Sequence, residues 1–232
     1  MLVHIVNSGN KSYYAEFLEE MFAQRKKLFV ETMGWNDLPM IDGIEKDEMD
    51  LVEDVEYLLI FDKNGDLVGH CRYNPTTSNY LLGTAMKKYV MNPIQEGYDC
   101  WEFTRFAPSW DLNSPHKKLA LAYLCAATIE WSLIRRVNRL LGIGEENLIQ
   151  LAGALQIPTR LLGTPIEYDT GRSAIAFEFA LSQRTLNSTR QFFKLDAPAT
   201  LLLPPQIGKS SISRDDIAFY DAAMNAREPI AA

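Results

Sequence analysis

The sequence predicts an α/β sandwich with a mixed central sheet, and three patterns in its apolar residues predict it. Residues 13–29 carry Tyr14, Phe17, Leu18, Met21, Phe22, Leu28 and Phe29 at three- and four-residue steps, the spacing of one helix face. Residues 56–61 and 67–73 are β-rich runs around Lys63-Asn64-Gly65-Asp66, and an Asn-Gly step between such runs signals a hairpin. From residue 100 onward, strand-like and helix-like segments alternate, which calls for helices packed on a sheet. With 232 residues and 47% apolar content, the chain suffices for one large domain.

Each further element follows from local signals. Gly34, Pro39, Asp42 and Gly43 punctuate residues 34–43, predicting a mobile loop after the first helix. A third strand is expected over 100–107, a loop over 111–118, and a helix from Leu119 to about Arg135. Residues 137–143 read as a strand, 145–155 as a helix, and 173–181 as a strand of alternating character. Pro198, Pro204 and Pro205 punctuate the end. Ser213 is placed to cap a last helix over 215–227, in a tail expected to be loosely attached. There is no internal repeat or low-complexity segment.

Composition narrows the function. A net charge of -7 without a long basic run speaks against nucleic acid, whose phosphates demand clustered Lys and Arg. No apolar run is long enough to span a bilayer, and the first residues lack the basic start and apolar core of a leader. A cytoplasmic protein without membrane insertion is therefore expected. Cys71, Cys100 and Cys125 are odd in number and widely spaced, which suggests neither a disulfide framework nor a metal site. His4, His70 and His116 stand in no nucleophile–base arrangement.

Charges set inside apolar patterns are the informative anomaly. Arg25 continues the stripe of Leu18, Met21 and Leu28, so its guanidinium should point inward, where it needs anionic partners. Taken alone, it also fits a stem that snorkels to water. In Glu45-Lys46-Asp47-Glu48-Met49-Asp50, Asp47 and Asp50 stand three apart, facing one cavity or forming a solvated acidic loop. Arg72 closes the second hairpin strand on the face of Val68 and His70, as a site residue or an edge gatekeeper. Glu102 and Arg105 sit in the aromatic strand Trp101-Glu102-Phe103-Thr104-Arg105-Phe106. Three apart, they face opposite sides of a regular strand, so a shared site predicts a β-bulge between them; a structural ion pair is the alternative.

In this order, Arg25, Phe29 and Trp35, then Asp47-x-x-Asp50, Gly69-x-x-Arg72-x-x-Pro75-Thr76 and Glu102-x-x-Arg105-Phe106, resemble the sequence blocks of acyl-homoserine-lactone synthases. The resemblance runs from about residue 21 to 108, and Tyr73-Asn74 departs from the apolar residues more common there. It implies a three-layer α/β/α sandwich of acetyltransferase-like fold that makes a quorum-sensing signal. Residues 1–110 would bind S-adenosylmethionine, 111–203 the acyl chain, and 204–232 would form a tail. It implies no cofactor and no metal: S-adenosylmethionine is a substrate, and an acyl carrier protein or acyl-coenzyme A is the donor. The substrate's amino group attacks the thioester, and its carboxylate then displaces methylthioadenosine.

The same resemblance assigns roles. Glu102 is the base that deprotonates the ammonium, with Phe103 and Phe106 as apolar surroundings that raise its basicity. Arg25 and Arg105 clamp the substrate carboxylate. Asp47 and Asp50 face the ammonium or sulfonium and hold Arg25 and Arg72, while Phe29, Trp35 and Phe106 pack on the adenine or the sulfonium.

The second half offers Leu121, Cys125, Ile143, Leu151, Phe177 and Phe179 for an acyl tunnel, residues that serve equally well as plain core. Lys117, Lys118, Arg135, Arg136 and Arg139 are its basic concentration, a docking patch for an acidic carrier protein or a solvated surface. Two rival readings stand beside the synthase. One is an acetyl-coenzyme A N-acyltransferase, whose pyrophosphate loop Arg139-Leu140-Leu141-Gly142-Ile143-Gly144 matches on paper. The other is a non-catalytic module that binds S-adenosylmethionine or a carrier protein.

Overall fold

The computed structural model describes residues 1–226. Along the chain run β1 (Leu2–Val6), α1 (Ala15–Arg25), β2 (Met40–Ile41), β3 (Ile44–Glu45), β4 (Glu56–Phe61), β5 (Leu67–Pro75) and β6 (Cys100–Ala107). There follow α2 (Lys117–Arg135), β7 (Arg139–Gly144), α3 (Glu146–Ala154), β8 (Thr159–Leu161), β9 (Ile166–Asp169), β10 (Arg172–Ala180), α4 (Gln183–Phe193), β11 (Thr200–Leu201) and α5 (Arg214–Asn225). Nine strands form one mixed sheet in the order β11-β1-β4-β5-β6-β7-β10-β8, with β9 beside β10.

Period two sorts the side chains into layers. Val3, Ile5, Leu58, Ile60, Phe103, Leu140 and Phe177 face α2, α3 and α4. Val6, Tyr57, Leu59, Phe61 and Leu67 face α1 and α5, where Phe17, Leu18, Met21, Phe22 and Ile217 cover them. This is the expected three-layer sandwich, and no helix of the described residues is long and apolar enough to cross a membrane.

Four expectations need correction. The helix over 13–29 is α-helical only from Ala15 to Arg25; a 3-10 turn precedes it and a π-helical segment, Lys26–Thr32, follows, with Met33 N–H reaching back five residues to the Leu28 carbonyl. The expected loop over 34–43 carries β2 and the turn of a hairpin that β3 completes. Asp42 and Gly43 at its tip both have positive φ (51° and 78°), as a two-residue turn matched to strand twist requires. The tail is docked: Ile212 and Ile217 are buried against α1, and the Asp221 carboxylate holds the Met1 amine at 2.7 Å. Ser213 caps α5 as expected, while Arg227, the expected end of that helix, lies outside the described residues. Finally, β1, β8, β9, β11 and α4 had no counterpart in the sequence reading.

One feature of the sheet positions the site. The parallel ladder between β6 and β7 holds only Cys100↔Arg139, Trp101↔Leu140 and Glu102↔Leu141. Beyond Glu102 the two strands part, leaving a wedge through which the two faces of the sheet approach each other.

Candidate active site

Pairing of β5 with β6 builds the site's floor. Arg72↔Thr104 and Asn74↔Glu102 are in register, so alternation puts all four side chains on the α1 face. Between His70↔Ala107 and Arg72↔Thr104 the register shifts, and Arg105 and Phe106 together oppose Cys71. The anticipated bulge therefore falls at Arg105, whose φ is 52°. The extra residue keeps Arg105 on the face of Glu102 and returns Phe106 to the face of Phe103, where the two rings lie 5.9 Å apart.

Over this floor three arginines and three carboxylates form a closed network. Arg25 donates to Asp50 through Nη1 (2.8 Å) and Nη2 (3.0 Å), and to Glu45 through Nε. Arg72 binds Asp47 and Asp50, and its Nε donates to Thr104 Oγ1 at 2.9 Å. Arg105 reaches Glu45 (2.7 Å) and Asp47 (3.1 Å) through Nη2. Tyr57 O–H and Asp47 N–H complete the shell of Asp50 at 3.0 Å each. Burial would favour a neutral Asp50, but Arg25 and Arg72 outweigh it and hold its carboxyl well below the usual range. Burial likewise opposes ionised Glu45, and Arg105 and Arg25 prevail. The arginine charges need these partners, since isolated buried ions are prohibitively costly.

Glu102 stands apart from the network. Its carboxylate is fully buried and accepts Leu81 N–H (2.7 Å) and Leu82 N–H (2.8 Å), and among the described residues it makes no salt bridge. Burial pushes its pKa up to about 7, against the pull of those two amides and of Arg72. The apolar surroundings come from Leu82, Tyr80 and Leu141, which cluster on its own face. Phe103 and Phe106, expected to supply them, point to the opposite face, Phe103 because neighbours on a strand alternate and Phe106 because of the bulge at Arg105. His70, also buried, is pushed down to about 3 by burial and stays neutral beneath Phe29.

Phe29 and Trp35 stack at 5.4 Å beside the network, and the Arg105 guanidinium lies 5.7 Å from the Phe29 ring centre. Phe106 does not join them. It lines an apolar cavity on the helical face with Phe103, Cys125, Leu151, Ile129 and Phe179. The free space within this cavity is about 40 Å³. Of the residues expected to line a tunnel, Cys125, Leu151 and Phe179 do; Leu121, Ile143 and Phe177 lie outside the lining. Ile143 packs with Tyr80 and Leu141 on the other face, and Phe177 stacks on Phe179 at 4.4 Å within the core.

The structure thus brings Arg25, Asp47, Asp50, Arg72 and Arg105 together, with Glu102 on the same floor and Phe29 and Trp35 at the rim. Glu45 completes the network and was passed over within the acidic run. Its signal was the Asp42-Gly43 turn, which makes Ile44 and Glu45 a strand and turns Glu45 inward. The basic residues do not form one patch: Lys117 and Lys118 begin α2 and Arg135 ends it, roughly 26 Å away at 1.5 Å per residue. Arg135 pairs with Glu56 and Arg139 with Asp99. The segment Arg139–Gly144 is strand β7 throughout, so the pyrophosphate loop of the N-acyltransferase reading has no loop to occupy.

Known proteins resemble this chain in sequence and fold. An acyl-homoserine-lactone synthase from Ralstonia solanacearum is 29% identical over 158 residues, covering 66% of this chain and 76% of that protein. Among solved structures, TofI in a ternary complex with an inhibitor and MTA superposes with a TM-score of 0.66 at 27% identity, covering 82% of this chain and 96% of that one. BjaI, described as a CoA-dependent acyl-homoserine lactone synthase with SAM and isopentyl-CoA, shares the fold with a TM-score of 0.78 at 20% identity, covering 96% and 99%. The profile of the autoinducer synthases matches residues 10–180. With that match spanning most of the sequence, the chain belongs to the autoinducer synthase family.

Proposed function

We infer that this chain is an acyl-homoserine-lactone synthase that acylates the amine of S-adenosylmethionine from an acyl thioester and closes the product to a lactone. The observation that carries this reading is the placement of Glu102: a base titrating at about pH 7, flanked by a charge-balanced cluster, beside the wedge that opens toward an apolar cavity. An ammonium must lose a proton before it attacks, and a carboxylate poised near neutrality suits that transfer. The proton passes to Glu102, the new N–C bond forms, and the thioester C–S bond breaks with its electron pair on sulfur. In the second step the substrate carboxylate forms a C–O bond to the carbon bearing the sulfonium, whose C–S bond breaks to release methylthioadenosine. Ring closure is intramolecular, and alignment alone contributes about 7–11 kcal/mol to such steps.

The two arginines assigned to the substrate carboxylate take different parts. Arg25 is wholly enclosed and its three nitrogens are engaged, so it holds Glu45 and Asp50 in place. Arg105 lies at the edge of the cluster under the Phe29 ring and is the guanidinium placed to meet substrate. Phe29 and Trp35 offer the face for the adenine or sulfonium, and Phe106 with Cys125 and Leu151 contacts the acyl chain.

Mass spectrometry after incubation with S-adenosylmethionine and a panel of acyl thioesters tests the reading. A lactone is expected. Consumption of acetyl-coenzyme A without S-adenosylmethionine would instead establish an N-acetyltransferase, and tight binding without product a non-catalytic module. Rates with the same acyl group on coenzyme A and on acyl carrier protein identify the donor.

A further inference from the structure

Buried polar atoms on the face that carries Glu102 include several without a partner among the described residues, and one of these lies directly opposite Glu102. Asn74 is fully buried and its Nδ2 donates to the Met49 carbonyl at 2.8 Å, while its Oδ1 meets no donor among the described residues. The Nδ2 bond fixes the amide's orientation, because a flip would set two acceptors against each other. Folded proteins seldom leave a buried acceptor unmatched, so Oδ1 calls for a donor from a ligand. Its place in the ladder says which ligand. Asn74 lies directly opposite Glu102 on the same face, and side chains so paired across antiparallel strands have Cβ atoms about 4.5–5.5 Å apart. Arg72 bound to Thr104 closes one side, and the Leu81 and Leu82 amides hold Glu102 from another. A group entering between an amide oxygen and a carboxylate must present at least two hydrogens, which a primary amine does.

We propose that Asn74 Oδ1 accepts one N–H of the substrate's α-amine while Glu102 takes the proton that leaves, so that Asn74 orients the nucleophile. This rests on the reading of the site as one for S-adenosylmethionine. The ammonium begins with three hydrogens: one goes to Glu102, one to the departing thiolate sulfur as the amide forms, and the one held by Asn74 remains as the amide N–H.

Titration calorimetry with S-adenosylmethionine and with its deaminated analogue, in which hydrogen replaces the amino group, tests the proposal without turnover. Wild-type protein should prefer S-adenosylmethionine. Asn74→Leu should lose about tenfold in affinity for it, the scale of a hydrogen bond from a charged donor, and bind the analogue as before. Asn74→Asp keeps an acceptor oxygen and should retain the preference. Should the Leu variant not fold, Asn74→Ala reads the same difference. Equal weakening of both compounds, or no change in either, would overturn the role of Asn74 alone. Wild-type protein that binds neither compound would overturn the functional reading, and this inference with it.

Discussion

At the scale of residues, the site separates a charge-balanced network from a lone carboxyl. Because Glu102 titrates at about pH 7, kcat/KM should rise tenfold per pH unit below that value and level off above it. Glu102→Gln should lose the rise along with roughly 10²–10⁴-fold in rate, and a profile flat through pH 6–8 in the wild type would remove Glu102 as base. The same shift bears on stability. A carboxyl with its folded pKa raised stabilises the fold below its unfolded pKa and loses that contribution as pH rises through about 7, some 3 kcal/mol in all. Asp50 and Glu45, held low, act oppositely, since their contribution is present at neutral pH and vanishes as acid protonates them. Arg25→Ala, which takes one of two guanidinium partners from each of Asp50 and Glu45, should cost about 3–5 kcal/mol in denaturant titration. Arg105→Ala, at the edge, should cost less stability while abolishing product; an unfolded Arg105 variant beside a stable, active Arg25 variant would reverse these roles.

At the scale of elements, the cavity wall depends on a missing side chain. A Cβ on Gly142 would lie 2.5 Å from the Phe103 ring and 2.8 Å from that of Phe177, so only glycine lets Phe103 fold across β7 into the cavity wall. Gly142→Ala should displace that ring, cost about 1–3 kcal/mol in thermal melts, and shift the acyl lengths accepted. Unchanged melting and product range would place the cavity's limiting wall elsewhere. Elements were legible where period and punctuation agreed, as in the β4–β5 hairpin with its Asn64-Gly65 step and in α2. They were not legible where burial on both faces erased the alternation, as in β1, all five of whose residues are buried. Nor was α4 legible: it is a largely polar helix held by the Ser182–Thr185 capping box and anchored through Leu186 and Thr189. The charged residues announced themselves by interrupting apolar patterns, whereas Glu45 lay in an acidic run that looks solvated until the turn before it is recognised. Phe106 was misplaced because a bulge reverses which residues share a face, a fact carried by the φ of Arg105 and by no residue type.

At the scale of the whole molecule, one sheet serves two chemistries by its two faces. The α1 face gathers the ions and Glu102, the helical face encloses the apolar cavity, and the parting of β6 from β7 joins them. On the proposed reading, polar substrate and acyl chain meet across a single strand without either occupying the other's surroundings. The account's central claim is that both steps occur in one site, acylation followed by lactone closure. The most direct measurement is the stoichiometry of free thiol, methylthioadenosine and lactone formed by purified protein from S-adenosylmethionine and an acyl thioester. The account predicts one of each per turnover; thiol release without methylthioadenosine, or with acyl-S-adenosylmethionine accumulating as the end product, would contradict it.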